Sequence, residues 1–374
     1  MKNVRGRSRF AGIAGVLGVT VVASGLLAGP ADAAASGPAG AVFSLSNAAS
    51  GNSVLSWVRT SKGELIPGPS YATGGLGSGA GLGSQGSVTL SSDKAYLLAV
   101  DAGSNELSAF SVEGTSLQLL NTIGSRGDQP ISVTVSDGVV YALNAGSSPN
   151  VSGYRLGSGG LTPIQGAVRE LPAGAAQPAE VAFTPAGDHL VVTEKATNRI
   201  DTFAVDASGV AGPGVTSPSA GATPFGFDFN NKGTLLVSDA AGGAPGASTA
   251  SSYRVNTDGS VSVISGAIPT TKTAACWLVA TNNGKVAFVS DTGSGTISAF
   301  AVGNDGSLTL LDGAAATPGG ATSDAAFDAA SQHLFTLDVA NDKIDGFAVG
   351  HDGSLTTGST VTGLPAAGVG LAAF

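Results

Sequence analysis

The sequence predicts an all-β fold, a seven-bladed β-propeller with four antiparallel strands per blade. Two observations lead to this prediction: one strand–turn–strand phrase recurs seven times, and the end of the chain supplies a strand that the first copy lacks. Four-stranded units that recur about every 40 to 50 residues are typical of propeller blades. Glycine accounts for 57 of the 374 residues and charged residues for only 11%, which suits short strands joined by many turns.

The repeated phrase is clearest in its last two copies, which contain SAFAVGNDGSLTLLDG from Ser298 and DGFAVGHDGSLTTGST from Asp345. Each copy has an apolar run that ends in Asn, Asp or Glu, then a loop, an apolar-aromatic strand, a turn with Gly and a short final strand. One further strand precedes every copy except the first. The copies begin at Val42, Tyr96, Val140, Leu190, Leu235, Ala287 and Leu334.

The strand that the first copy lacks is expected to come from the end of the chain. The last residues, GVGLAAF (368–374), have the pattern of the strand that precedes the other copies. Pairing of this segment with the first blade would close the ring and remove its free sheet edges. A single domain, 34–374, is therefore expected, with blades at about 38–72 plus 366–374, 86–124, 129–170, 177–216, 223–267, 274–315 and 321–362.

Residues 1–33 are expected to be a signal peptide. Four basic residues precede an apolar run (10–29), and the small-residue segment ADA ends at Ala33. This pattern is typical of Sec-type export and cleavage, so we expect a secreted, extracellular or cell-wall-associated protein with no membrane span. The apolar run is also just long enough to cross a bilayer, and an uncleaved anchor is the alternative.

The charge and cysteine content exclude several classes of protein. Without residues 1–33 the chain has 13 basic residues (17 minus 4) and 25 acidic residues (26 minus 1), a net charge of −12. Such a surface repels phosphates, so no nucleic-acid partner is expected. Cys276 is the only cysteine, which excludes an internal disulfide and a cysteine-based zinc site. No Lys-Ser/Thr pair follows the Gly-rich stretch 73–86, so this stretch is not expected to bind a nucleotide phosphate. We expect no cofactor, and we expect a monomer.

Several strand phrases resemble a known family. EVAFTPAGDHLVVTEKATNRIDTFAVD, from Glu180, is similar to strands of the seven-bladed lactonase family, which includes 6-phosphogluconolactonase and carboxymuconate-cyclising enzymes, and to the related YVTN-repeat surface proteins. The resemblance covers nearly all of the chain after residue 33. It implies a seven-bladed propeller and, for the enzymes of the family, a site at one mouth of the central channel.

The resemblance also allows the catalytic positions of the family to be placed residue by residue. The family's His, Arg, Glu and second Arg fall on Ile131, Ala179, Glu194 and Ala240, so that only the Glu is present, with Glu180 beside Ala179. Opening or forming a lactone requires a proton carrier near the ring oxygen and a cation that holds the substrate. The chain lacks both at the matched positions.

The three histidines do not replace the missing proton carrier. His189, His333 and His351 lie in or beside hairpin turns that are expected to be remote from the mouth. Two hypotheses follow. The first is a non-catalytic secreted propeller that binds a small molecule, a glycan or a protein on its top face or its Gly-rich loops. The alternative is a divergent lactone or cyclic-ester hydrolase, or a related lyase or lactone-forming isomerase, that uses Glu194.

Candidate site residues are placed in the loop EKATNR (194–199). Glu194 is the candidate acid or base with Glu180 close by, and Lys195 and Arg199 are candidates to hold a carboxylate. The alternative is a solvated loop with a local ion pair of small energetic value.

Three further residues are candidates to contact a ligand. Phe225 and Trp277 begin inner strands of adjacent blades, where an aromatic pair would favour an apolar or sugar-like ligand; the alternative is packing between blades. Arg126 lies in a loop before an inner strand and is a third candidate. Cys276 is interpreted as a small buried residue and not as a nucleophile.

The last polar residues of the second strands are expected to form a ring near one opening of the channel. Carboxylate and amide oxygens suit Ca²⁺, whereas the alternative is that they bond the backbone of the following turn. We expect no metal, and Asp101, Asp239, Asp291 and Asp338 are the candidate ligands if one binds. The whole ring is Asn47, Asp101, Asn144, Glu194, Asp239, Asp291 and Asp338.

Overall fold

The computed structural model describes residues 38–172 and 176–374. These residues form seven four-stranded sheets of antiparallel strands, which confirms the predicted fold class. The predicted signal peptide lies outside the described residues. No helix in the part of the chain that is described is both long and apolar enough to span a membrane.

The first four blades lie within residues 38–218, and blade 1 also takes one strand from the end of the chain. Blade 1 contains β1 (Pro38–Leu45), β2 (Ser53–Thr60), β3 (Leu65–Ala72) and β28 (Val369–Ala373). Blade 2 contains β4 (Val88–Leu90), β5 (Tyr96–Asp101), β6 (Glu106–Glu113) and β7 (Ser116–Gly124). Blade 3 contains β8 (Pro130–Ser136), β9 (Val139–Asn144), β10 (Asn150–Gly157) and β11 (Gly160–Glu170). Blade 4 contains β12 (Pro178–Phe183), β13 (His189–Glu194), β14 (Arg199–Val205) and β15 (Ala211–Pro218).

The last three blades follow in the same order. Blade 5 contains β16 (Pro224–Phe229), β17 (Thr234–Asp239), β18 (Thr249–Val255) and β19 (Val261–Pro269), with a short 3-10 turn (Ala241–Gly243) before β18. Blade 6 contains β20 (Ala275–Ala280), β21 (Val286–Asp291), β22 (Thr296–Val302) and β23 (Leu308–Ala316). Blade 7 contains β24 (Thr322–Phe327), β25 (His333–Asp338), β26 (Lys343–Val349) and β27 (Leu355–Thr362).

The end of the chain closes the ring as predicted. β28 pairs antiparallel with β1, in a register that places Val42 opposite Ala373. Arg59 of blade 1 donates to the carbonyl oxygen of Phe374 at 3.2 Å and lies 3.4 Å from the buried carboxylate of Asp328 in blade 7. The closure therefore joins the first and last blades through main-chain pairing and a buried ion pair.

An aromatic residue repeats in the third strand of every blade and explains the repeated phrase. Each one is buried and lies opposite an aliphatic residue of the second strand, so that the pair contributes apolar surface to the core. The seven pairs are Trp57 with Val42, Phe110 with Leu97, Tyr154 with Val140, Phe203 with Leu190, Tyr253 with Leu235, Phe300 with Ala287 and Phe347 with Leu334.

Side chains of the first strands bond neighbouring blades to one another around the channel. In each case an oxygen on the first strand of one blade accepts a hydrogen bond from a backbone N–H on the first strand of the next blade. These bonds reach Ser132 from Val181 at 3.2 Å, Glu180 from Phe227 at 2.6 Å, Asp228 from Ala280 at 2.8 Å and Asp324 from Gly370 at 3.1 Å.

Candidate functional site

The channel mouth lies on the face that carries the loops between second and third strands. Because strand direction alternates within a blade, the connections between blades emerge on the same face, which is termed the top face. One of these connections, residues 73–87 between β3 and β4, extends over the mouth and is termed the plug loop. The main-chain N–H of Gly77 in the plug loop bonds Ala48 in blade 1, and the carbonyl of Leu76 accepts a bond from Gly103 in blade 2, each at 2.9 Å.

The far end of the plug loop reaches the opposite side of the ring. Lys195 of blade 4 donates from Nζ to the carbonyl of Gly83 at 2.5 Å. Trp277 of blade 6 donates from Nε1 to the carbonyl of Ser84 at 3.0 Å. The loop therefore covers the mouth between blades 1 and 2 on one side and blades 4 and 6 on the other.

Gln85 of the plug loop inserts its side chain among the first strands of blades 4 to 6. Its Oε1 accepts a hydrogen bond from the N–H of Leu278 at 3.0 Å, and its Nε2 donates to the carbonyls of Leu278 at 2.9 Å and Phe227 at 3.0 Å. Nε2 also lies 3.3 Å from Oε1 of Glu180. The donors and the acceptor of this carboxamide are thus all engaged.

The two predicted aromatic residues lie together beside the plug loop. The ring centroids of Phe225 and Trp277 are 5.0 Å apart, both side chains are buried, and they pack with Ala179. Lys195 Nζ lies 4.7 Å from the centroid of Phe225, a distance suited to a cation–π contact. Burial lowers the pKa of Lys195. The pair therefore packs between blades and also lines the mouth, where its indole N–H is taken by the plug loop.

Three carboxyl groups lie on the first strands around the channel, Glu180 and Asp324 buried and Asp228 half-buried, and desolvation raises the pKa of each. The pKa of Asp324 is raised to about 7 and that of Asp228 to about 6, while that of Glu180 is raised well above its ordinary value. Each accepts a backbone hydrogen bond from the next blade. These groups therefore link neighbouring blades around the channel.

The positions that match the family's missing catalytic residues are apolar and buried. Ile131, Ala179 and Ala240 are 1%, 0% and 4% exposed. Burial raises the pKa of the neighbouring Cys276 thiol to about 11, so it is not an activated nucleophile at neutral pH.

Glu194 lies inside blade 4. Its side chain is fully buried, accepts a hydrogen bond from Thr197 and neighbours Asp201 on the adjacent strand. Burial, followed by the hydrogen bond to Glu194, raises the pKa of Asp201 to about 7. Oε1 of Glu194 and Oδ2 of Asp201 have no other hydrogen-bond partner. Asp201 therefore holds a proton below about pH 7, and its hydroxyl can donate this proton in a hydrogen bond to the neighbouring Glu194.

The structure separates the other charged candidates. Lys195 faces the plug loop, whereas Arg199 is exposed to solvent. Arg126 donates from Nη1 to the carbonyl of Ile164 on the outermost strand of blade 3, at 2.9 Å, so its guanidinium points away from the mouth. Glu180 contacts the plug loop, whereas Glu194 bonds Thr197 inside blade 4. The two glutamates, predicted to lie close together, make no contact with each other in the described residues.

The members of the predicted acidic ring lie at or just after the ends of second strands, and their side chains are hydrogen-bonded to other parts of the chain. These side chains are fully or almost fully buried. Asn47 donates to Ser78 and Ala80 of the plug loop. Asp101 accepts from Thr73 of the plug loop and from Asn52 of blade 1. Asp101 accepts from Ser108 at 2.6 Å, Asp239 from Ser251 at 2.6 Å and Asp291 from Ser298 at 2.6 Å. The third strand thus supplies hydroxyl donors where the sequence suggested only backbone donors. In the chain as described, no cluster of three or more His, Cys, Asp or Glu could hold a metal ion.

The histidines lie on the opposite, bottom face. His333 Nδ1 is 2.8 Å from Oδ2 of Asp328, and His189 Nδ1 is 3.2 Å from Oδ1 of Asp188. A cleft of about 760 Å³ between blades 6 and 7 is lined by His333, His351 and Gln332. These side chains are on the other side of the ring from the mouth.

The residues that sequence reasoning missed are those of the plug loop. Ser84 and Gln85 lie in a Gly-rich stretch with neither helical nor strand periodicity, and no local pattern indicates where such a loop folds. The one signal is Gly226: a Cβ there would lie 2.2 Å from Oε1 of Gln85 and 2.8 Å from the carbonyl of Cys276. A side chain at this position would displace the glutamine.

Comparison with known proteins agrees with this architecture. A family model described as "Lactonase, 7-bladed beta-propeller" matches residues 147–260. A search of the curated proteins finds no significant match. A protein from Lactobacillus plantarum is 19% identical with a TM-score of 0.73, covering 90% of this chain and 99% of its own.

Two further solved structures bear functional names. A putative 6-phosphogluconolactonase from Bacteroides fragilis is 18% identical with a TM-score of 0.70, covering 92% of this chain and 100% of its own. A periplasmic gluconolactonase from Pseudomonas aeruginosa is 15% identical with a TM-score of 0.68, covering 87% of this chain and 97% of its own. At such identities the structures establish a shared fold. The matched segment and the seven blades together confirm that this chain resembles the seven-bladed lactonase family.

Proposed function

We propose that this chain is an exported, non-catalytic binding propeller built on the lactonase-like fold. The observation that carries the proposal is the plug loop, which occupies the mouth with residues of the chain itself. The polar atoms that would face a substrate there, Lys195 Nζ and Trp277 Nε1, already bond the carbonyls of Gly83 and Ser84. A lactone would have to displace these bonds before reaching the channel.

The chemistry of the surrounding residues supports the same proposal. The matched catalytic positions Ile131, Ala179 and Ala240 offer neither a proton carrier nor a cation. Glu194 is the one matched position that is kept, and its carboxyl faces Asp201 inside the blade. Because the Glu194 side chain is fully buried within blade 4, it is not exposed to a substrate at the mouth.

Hydrolysis of a lactone or cyclic ester is the alternative, and the names of the similar structures favour it. Purified chain without residues 1–33 should be tested against gluconolactone, 6-phosphogluconolactone and a set of cyclic esters. The proposal predicts rates equal to those of buffer alone for the wild type and for Glu194→Gln. Turnover in the wild type that disappears in Glu194→Gln would overturn the proposal and establish the hydrolase.

Export is a separate part of the proposal and rests on the pattern of residues 1–33. Amino-terminal sequencing of the protein from the culture medium and from the cell wall should give a start at Ala34. An intact Met1 in the membrane fraction would indicate the uncleaved anchor. Binding partners recovered with the wild type should be proteins, glycans or small molecules, and no nucleic acid is expected among them.

A further inference from the structure

We propose that the mouth is a binding site for an extended peptide that carries a glutamine, and that the plug loop occupies this site in cis. The inference deepens the proposed function, on which it rests, by naming the class of partner. It is carried by the contacts of residues 82–87, which are those of a bound peptide ligand.

The first observation is a pocket for a primary amide. The Gln85 carboxamide accepts one hydrogen bond from Leu278 N–H and donates to the carbonyls of Phe227 and Leu278, at 2.9 to 3.0 Å. Two backbone acceptors and one backbone donor match a carboxamide, which has two N–H donors and an acceptor oxygen. A glutamate in the same place would put a second oxygen against two carbonyls, with Glu180 also nearby. The pocket therefore discriminates an amide from a carboxylate of the same shape.

The second observation is that the rest of the segment is held through its main chain. Backbone bonds give affinity without regard to sequence, and a single side-chain pocket gives specificity, which is a recurring mode of peptide recognition. The main-chain bonds run from Lys195 Nζ to Gly83 O at 2.5 Å, from Trp277 Nε1 to Ser84 O at 3.0 Å, from Gln85 N to Ala179 O at 3.1 Å and from Val133 N to Gly86 O at 2.8 Å.

The third observation concerns the link between this segment and the rest of the plug loop. Gly81 is exposed, and a Cβ placed on it would meet nothing within 4 Å. The bonds that hold residues 83–86 come from their own groups and do not depend on this link. A segment of another chain with the same groups could therefore replace the plug. The tethered segment competes at an effective concentration of roughly millimolar, so a free peptide should bind only where the plug is disabled.

The test uses a variant that keeps the loop length, Ser84→Gly with Gln85→Pro. It removes the Gln85 carboxamide, the Gln85 N–H that bonds Ala179, and the Ser84 hydroxyl that donates to Ile131 O at 2.8 Å. The probe is the acetylated, amidated octapeptide AGLGSQGS, the sequence of residues 80–87. Calorimetric titration should show binding to the double variant and none to the wild type. The matched peptide AGLGSEGS should bind at least about tenfold more weakly, since two donors are lost and a charge is buried.

Two outcomes would overturn the proposal. One is a folded double variant, with the circular dichroism spectrum of the wild type, that binds neither peptide. The other is a folded variant that binds both peptides equally. Lactone turnover would overturn the proposed function and leave this result unaffected, so the two failures are distinguishable.

A second measurement is independent of the double variant. Gln85→Gly should leave a vacant amide pocket, and acetamide should raise the Tm of this variant but not that of the wild type. Acetate, which has the same shape, should have no specific effect on either protein. An equal response of Gln85→Gly to acetamide and acetate would contradict the amide pocket.

Discussion

Blades 4 and 7 each carry a pair of acidic residues at equivalent positions of their second and third strands. The surroundings of the pair differ between the two blades. In blade 4 the pair is Glu194 with Asp201, and in blade 7 it is Asp338 with Asp345. The later acid of each pair accepts a hydroxyl bond from the outermost strand: Asp201 from Thr216 at 2.6 Å and Asp345 from Thr360 at 2.8 Å.

The difference between the blades is the position of one cation. In blade 7, Lys343 Nζ lies 3.5 Å from Asp338 and 3.0 Å from Asp345. Burial alone would lower the pKa of Lys343, but hydrogen bonds to these carboxylates, and their charges, raise it. Arg199 holds the equivalent place in blade 4 but is exposed. Burial, and then the hydrogen bond to Glu194, raises the pKa of Asp201 to about 7.

The comparison shows why Glu194 is a poor indicator of catalysis. An acid or amide ends the second strand in most blades, and it bonds a Ser or another acid of the third strand. Glu194 therefore occupies a position that the blade repeat itself requires. Its match to a family position cannot by itself assign a catalytic role.

The largest expected effect concerns the acids whose pKa values are raised by burial, among them Asp201 of blade 4. Burial raises their pKa values above the ordinary Asp value of 3.8, to about 7 for Asp201, Asp239, Asp291 and Asp324 and about 6 for Asp228. Between pH 4 and 7 the folded chain therefore binds more protons than the unfolded chain, and stability falls as the pH rises.

Calorimetry of the wild type at pH 5, 6, 7 and 8 checks this expectation. The Tm should fall by roughly 5 °C or more between pH 5 and 8, since several groups must lose their protons. The exposed turn residues Asp206, Asp258, Asp305 and Asp352 have lowered pKa values and are ionised throughout this range, so they add nothing to the change. A Tm that is constant or rises with pH would contradict the assignment.

Removal of the blade 7 cation is the next largest effect. Lys343→Met should lower the free energy of unfolding at pH 8 by about 2 to 3 kcal/mol, because two buried carboxylates lose their partner. Arg199→Met is the matched control, and because Arg199 is exposed it should change stability by less than about 0.5 kcal/mol. Equal effects of the two substitutions would refute the comparison.

Glu194→Gln should have a smaller effect of opposite sign. The amide can donate to Asp201 when that carboxyl has lost its proton, so the free energy of unfolding should rise by about 1 kcal/mol at pH 8. Urea titrations at pH 5 and 8 measure the change, and the gain should vanish at pH 5. Asp338→Asn in blade 7 is the control and should not stabilise, since Lys343 loses a charged partner. Destabilisation by Glu194→Gln at pH 8 would contradict this account of the pair.

Addition of Ca²⁺ should have no effect. The acids that end the second strands already accept hydroxyl bonds inside their blades. A site filled at a hundred times its Kd would add about 2.7 kcal/mol to the free energy of unfolding. A Tm raised by millimolar Ca²⁺ but not by Mg²⁺ would show that a cation site exists.

The fold could be predicted from the sequence because its signals are local and repeated. Each blade places an aromatic residue of the third strand opposite an aliphatic residue of the second, as Phe347 lies opposite Leu334. The missing strand of the first blade also had one available source, 368–374. Chain closure then follows from the need to pair that edge.

The site could be predicted only in part. The position of Phe225 and Trp277 at the starts of first strands follows from the repeat. The occupant of the mouth does not, because Gln85 and Leu278 are 193 residues apart and no periodicity links them. The raised pKa of Asp201 beside Glu194 also could not be predicted, because the similar segments of blades 4 and 7 do not reveal that Arg199 is exposed.

Hydrogen exchange at the mouth tests the central claim most directly. Gln85 N–H donates to Ala179 O, and Leu278 N–H donates to Oε1 of Gln85. Both amides of the wild type should exchange as slowly as those of the neighbouring first strands, and Gln85→Ala should accelerate exchange at Leu278 selectively. Exchange at Gln85 and Leu278 as fast as in an unfolded peptide would contradict the account, because the mouth would then be open in solution.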